Sequence, residues 1–128
     1  MNKKNILLIQ PLSILTEPDG YLCTSYLEPI ALQYLAASLE EKGYETKIII
    51  EGAATKLVPE LAKEDNPLYK LWQKVLDADL VDGVCKACSN KMGTLKASQN
   101  QGLALLDDMT GHPGMVRYRD DGFEIISF

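Results

Sequence analysis

A three-layer α/β/α sandwich around a five-stranded parallel sheet is the fold class this sequence predicts. Three observations predict it: five short apolar runs occur along the chain, segments of helical character separate them, and the runs are apolar continuously rather than at every second residue. Continuous runs suit strands covered on both faces, and alternation with helices means βαβ units. Length and composition agree. The chain has 128 residues, 46% hydrophobic and 24% charged, enough for one globular α/β domain over 1–128 with its own core.

Taken in order, Ile6-Leu7-Leu8-Ile9 is the first strand, followed by a loop from Gln10 to about Tyr26 punctuated by Pro11, Pro18 and Gly20. Pro29 suits the first turn of a helix whose apolar face carries Ala31, Leu35 and Leu39, with Leu32 and Ala36 beside them. Gly43 is its expected stop. Lys47 to Ile50 is the second strand, and a short helix from Thr55 to about Ala62 must accommodate Pro59. Asn66-Pro67 reads as an N-cap and first turn before an amphipathic helix with Leu68, Leu71, Trp72, Val75 and Leu76 on one face, Trp72 as core. Leu80 to Cys85 is a third strand, interrupted by Gly83. Lys86 to about Gln101 reads as one helix weakened at Gly93, and Leu103 to Leu106 as the fourth strand. A short helix between Pro113 and Asp121 is expected to turn Met115, Val116 and Tyr118 inward. Phe123 to Phe128 is the last strand.

The charge balance is 13 Lys and Arg against 18 Asp and Glu, a net −5. Scattered cations argue against a nucleic-acid partner, which needs them clustered. The opening residues are too short an apolar run for a signal peptide or membrane span, so no membrane partner and a cytoplasmic location are expected. Three cysteines and one histidine are too few for a disulfide scaffold.

In a parallel sheet the ligand rim lies at the carboxyl ends of the strands. Those ends bring Gln10–Tyr26, Glu51-Gly52, Cys85–Asn90 and Asp107–His112 to one edge. The outstanding feature there is Cys85-Lys86-Ala87-Cys88. Cys85 ends a strand and Cys88 falls in the next helix's first turn, where backbone N–H groups and Lys86 are expected to depress a thiol pKa and allow exchange chemistry. The alternative is that Cys85 is a small buried hydrophobe and Cys88 a packing residue. A zinc site needs four ligands; Cys85, Cys88 and His112 supply three and Asp107 or Asp108 a conceivable fourth, but no second Cys-x-x-Cys exists, so neither metal nor cofactor is expected. His112, in Thr110-Gly111-His112-Pro113-Gly114, either orients a thiol or is a turn residue before a helix starting at Pro113. Asp107-Asp108 reads equally as a rim pair or a helix cap. Cys23 reads as incidental, and no G-x-G-x-x-G or Walker loop occurs.

Two resemblances cover different parts of the chain. Ile50–Leu61, Asp82–Gly93 with its Cys85-Lys86-Ala87-Cys88, Leu106–Pro113 and Asp121–Phe128 resemble a subfamily of DsrE-like proteins, over about two-thirds of the sequence from Glu45 onward. That resemblance implies a parallel α/β sandwich, a homo-oligomer, and sulfur relay as a cysteine persulfide with Cys85 as the sulfur-bearing residue and Cys88 its partner. Ile6–Pro11 and Tyr26–Glu45 are similar instead to the flavodoxin-like cobalamin-binding domain at the amino terminus of radical SAM enzymes. The two patterns meet near residues 41–47, where both families end a helix and begin a strand. The Asp-x-His-x-x-Gly motif of many cobalamin proteins is missing.

The leading expectation is therefore a recombined, engineered flavodoxin-like/DsrE-like scaffold without an intact native catalytic activity, monomeric where the replaced amino terminus disrupts oligomer contacts. A natural DsrE relative with a divergent amino terminus is the other origin. Two functional alternatives stand beside it. One is a cytosolic thiol protein in which Cys85 carries a persulfide, Cys88 resolves it, Lys86 lowers the Cys85 pKa and His112 positions the acceptor. The other is a small-ligand, cobalamin-type module using Thr24, Ser25 and Tyr26.

Overall fold

A computed structural model of the chain describes residues 5–12 and 28–127. Strand β1 (Asn5–Leu12) leads to helix α1 (Glu28–Glu41) and β2 (Glu45–Gly52). A 3-10 turn (Ala53–Lys56) and the short α2 (Leu57–Leu61) precede α3 (Tyr69–Asp77) and β3 (Val81–Cys85). Then come α4 (Lys86–Lys91), α5 (Leu95–Asn100), β4 (Leu105–Leu106), α6 (Val116–Asp120) and β5 (Phe123–Ser127). All five strands are parallel, in the order β4-β3-β2-β1-β5. The layers are those of a flavodoxin-like sandwich; the order, which apolar patterning cannot fix, differs from the flavodoxin order 2-1-3-4-5.

The sheet has one apolar cluster on each face. Ile6, Leu8, Ile48, Ile50 and Val84 pack against Ala36 of α1, Val58 and Leu61 of α2, and Trp72 and Val75 of α3. Leu7, Ile9, Ile49, Leu106 and Phe123 face the other way, toward Tyr118 of α6. Handedness explains the division. The chain steps β1 to β4 in one direction across the sheet and then returns past β1 to place β5, so right-handed crossovers put α6 on the face opposite the earlier helices. Among the described residues, no helix is long and apolar enough to cross a membrane.

Several expectations are corrected in detail. β1 runs on through Gln10 and Pro11 to Leu12, paired with Ile50, Glu51 and Gly52. Among the described residues pairing with β5 runs only to Ile9, and Pro11, paired with Glu51 of β2, lies beyond it, where a missing N–H is tolerated. Leu35 is 38% exposed although its neighbours Ala36 and Leu39 pack inward. Asn66 does not cap α3 directly; its Oδ1 accepts the Leu68 N–H at 2.9 Å in an Asx turn, and the helix begins at Tyr69. Lys86–Gln101 is two helices, because Gly93 at φ 73° ends α4. α6 begins at Val116 rather than Pro113, and Val116 is 69% exposed. Successive helical residues turn by about 100°, so Val116 and Tyr118 lie roughly 200° apart and cannot both face the sheet. The Gly43 stop is as expected: at φ 84° it lets the Tyr44 N–H reach the Leu39 carbonyl at 3.0 Å.

Two features position the upper rim. A bulge between Ile48 and Ile49 leaves Asp82 opposite no β2 residue, where it meets Lys47 at 3.2 Å, Arg117 at 3.7 Å and the Tyr118 hydroxyl. Beyond it, Gly83 lets β4 approach: a Cβ there would lie 2.7 Å from both the Ala104 carbonyl oxygen and Leu106 Cγ. Gly83→Ala should therefore cost about 1–3 kcal/mol, read as a lowered urea midpoint, because backbone must move. Burial, reinforced by the hydrogen bond to Asp82, holds the Tyr118 hydroxyl proton well above the ordinary value of 10.0. As pH rises through 10 the unfolded chain ionises this tyrosine while the folded chain keeps its proton, so stability falls. Urea midpoints of Tyr118→Phe should decline less steeply over that alkaline range than those of the parent.

Candidate functional site

Cys85 is the last residue of β3 and also the N-cap of α4, with φ −62° and ψ 119°. Its sulfur accepts the Cys88 N–H at 3.4 Å, which draws the second cysteine back over the first. This is what the Cys-x-x-Cys spacing does at a strand-to-helix junction. Both residues are free thiols; Cys85 is fully buried and Cys88 half-buried.

The third member comes from the far side of β4. Met109 and His112 exchange backbone hydrogen bonds of 2.8 and 3.0 Å across Thr110 and Gly111, which have φ of 53° and 88°. Two positive φ values define a type I′ turn. Glycine suits the second position; threonine at the first is a strained exception. The Ala87 N–H donates to the Gly111 carbonyl at 2.8 Å, and the Ala87 methyl lies 3.3 Å from where a Cβ on Gly111 would be. α4 thus holds the turn directly. The result places His112 Nδ1 3.2 Å from Cys85 Sγ, with the Gly111 carbonyl 3.8 Å from the same sulfur.

Cys85, Cys88 and His112 together offer two sulfurs and a ring nitrogen within 4.8 Å of one another. The structure therefore assembles all three residues singled out from the sequence. They grade from buried Cys85 to half-buried Cys88 to exposed His112, so the cluster is approached from the histidine side. Ile50 pairs with Val84, which brings Glu51 alongside Cys85 at the strand ends. Burial raises the Glu51 pKa above its ordinary carboxyl value, partly offset by attraction to His112.

The expected electrostatics are overturned. Burial pushes the Cys85 pKa up to about 12; the side chains of Cys88 and Glu51 add to the rise, and the Cys88 N–H offsets only part of it. Lys86 does not help, because it is exposed and its Nζ bonds Asp107 Oδ2 at 2.9 Å. Asp108 accepts the Gly114 N–H at 3.0 Å and lies 3.8 Å from Arg117 Nε, so neither aspartate joins the cysteines. Cys23, Thr24, Ser25 and Tyr26 lie outside the described residues. Sequence reasoning offered a turn at His112 but missed that it closes over Thr110-Gly111 and that Ala87 clamps it. The one signal was the glycine before His112.

The fold and this cluster define an α/β domain with a Cys-x-x-Cys pair and a histidine at the carboxyl edge of its sheet. The chain belongs to the same family as the uncharacterized protein MJ0733 of Methanocaldococcus jannaschii, with which it is 41% identical over 91 residues, 71% of this chain and 72% of that protein. No family model and no solved structure matches it.

Exposure separates the two thiols. In the folded protein, iodoacetamide should modify Cys88 readily and Cys85 only after denaturant is added, as resolved by peptide mass spectrometry. Rapid labelling of Cys85 in the native chain would contradict the buried geometry.

Proposed function

We propose that this chain is a DsrE-like thiol protein that relays sulfane sulfur as a cysteine persulfide. The observation that carries the reading is the meeting of two free thiols and an imidazole within 4.8 Å at a solvent-approachable rim. Burial reverses the roles that the resemblance implied: Cys88 is the residue a donor can reach, and Cys85 is the resolving partner beneath it.

In the loading step the Cys88 thiolate attacks the terminal sulfur of a donor persulfide. A sulfur–sulfur bond forms on Cys88, the donor's own sulfur–sulfur bond breaks, and the donor departs as a thiolate. An acceptor thiolate then takes the terminal sulfur and Cys88 leaves as a thiolate, so the relay is redox-neutral. Without an acceptor, Cys85 attacks Cys88 Sγ, its proton passing to His112 Nδ1, and hydrosulfide is expelled. That branch leaves a Cys85–Cys88 disulfide, which an external dithiol must reduce. A reducing cytoplasm would keep both thiols in the starting state.

The test is intact-mass analysis after exposure to glutathione persulfide. The parent chain should gain the mass of one sulfur atom transiently and then lose it as the Cys85–Cys88 disulfide forms, Cys88→Ser should gain none, and Cys85→Ser should hold its persulfide longer because hydrosulfide cannot be expelled. A recombined scaffold without chemistry would show no gain in any variant, and equal loading of Cys88→Ser would also overturn the reading.

A further inference from the structure

We propose that Cys85, Cys88 and His112 form a three-ligand site for a zinc-class divalent cation, with its fourth coordination position open to solvent. The inference concerns resting-state metal binding and stands apart from sulfur relay.

Donor chemistry selects the metal. Two thiolates and an imidazole are the ligands of zinc and its borderline-soft neighbours, whereas magnesium and calcium take oxygen. The spacing also fits. With Zn–S near 2.3 Å and Zn–N of 2.0–2.1 Å, a tetrahedral site has a sulfur-to-nitrogen edge of about 3.5 Å and a sulfur-to-sulfur edge of about 3.8 Å. Cys85 Sγ and His112 Nδ1 stand 3.2 Å apart, a few tenths of an ångström from the tetrahedral edge, and all three donor atoms lie within 4.8 Å, so side-chain shifts of no more than about 1 Å would admit the ion.

The surroundings are those of a ligand set held in advance. The Cys88 N–H already points at Cys85 Sγ, a bond that supports a thiolate on a metal. His112 sits on a two-residue turn closed by its hydrogen bonds with Met109 and tied to α4 by the Ala87 N–H. Lys86, the cation nearest in sequence, is bonded to Asp107 rather than aimed at the sulfurs. Strand alternation puts Glu51 on the face of Ile49, and Cys85 pairs with Leu106 on that same face, so a carboxyl rather than a cation neighbours the site. Three protein ligands and a vacant position are the pattern of zinc sites that bind an exchangeable fourth group, and the exposed histidine opens that position outward.

The reduced full-length chain can be titrated with zinc against a chromophoric chelator, and with cobalt(II) as a spectroscopic substitute. The expected result is one equivalent bound, with thiolate-to-cobalt charge-transfer absorption and the intense visible bands of tetrahedral coordination. Cys88→Ser and His112→Ala should each weaken binding by more than the ~10–100-fold that loss of an outer partner costs. Asp107→Asn should bind as the parent does. His112 and Cys88 are not core residues, so these variants remain informative even where Cys85→Ser fails to fold. No binding at micromolar zinc, a weak octahedral cobalt spectrum, or unchanged binding in His112→Ala would overturn the proposal. Because the readout is coordination, failure of persulfide loading leaves it untouched.

Discussion

The upper rim of this protein depends on one close approach. Gly83 has no Cβ where the Ala104 carbonyl and Leu106 press against β3, and β4 pairs with β3 through only Val84–Leu105 and Cys85–Leu106. A two-residue strand has little hydrogen bonding with which to hold its place. Its position rests on that contact, on the 2.9 Å bond from the Val84 N–H to the Ala104 carbonyl, and on Leu106 in the second apolar cluster. The turn that carries His112 leaves the sheet from this junction and is clamped from the other side by the Ala87 N–H.

Local strain is kept in the same place. Thr110 at φ 53° adopts a left-handed conformation that costs on the order of 1–2 kcal/mol for an ordinary residue. It persists because the Met109–His112 bonds, the Ala87 clamp and buried Pro113 over-determine the turn. The strain secures orientation: a relaxed loop would have no reason to hold the imidazole against Cys85.

The polar groups divide into two sets with different electrostatic logic. Asp82, Lys47, Arg117 and Tyr118 form a paired cluster beside the β3 bulge, in which one carboxylate meets two cations and Arg117 also reaches Asp108. Cys85, Cys88, His112 and Glu51 gather at the strand ends, and among the described residues neighbouring Lys86 is turned away to Asp107. Desolvation then dominates, and a single N–H bond cannot offset the cost of a buried thiolate.

Much was legible in the chain itself. Continuous apolar runs such as Ile48-Ile49-Ile50 declared two-sided burial, Gly43 declared a helix end, and the Cys85–Cys88 spacing placed one thiol at a strand end and the other in the next helix's first turn, because each is a local consequence of backbone geometry; whether the two face one another was left to the fold. Helix faces were less legible where elements were short: five residues of α6 cannot average out an error of orientation, so Val116 fell on the wrong side. The Cys85 environment was not local at all. Adjacent Lys86 suggested a lowered pKa, but its partner Asp107 is 21 residues away, and the burial that raises the pKa instead comes from packing of the whole sheet. Sequence alone determined that Cys85 and Leu106 would end their strands and that the residues after them would share the sheet's carboxyl edge. Only the tertiary structure decided which of them touch, since the contact between Cys85 and His112 spans 27 residues and follows from strand order and a glycine-permitted approach that no local pattern encodes.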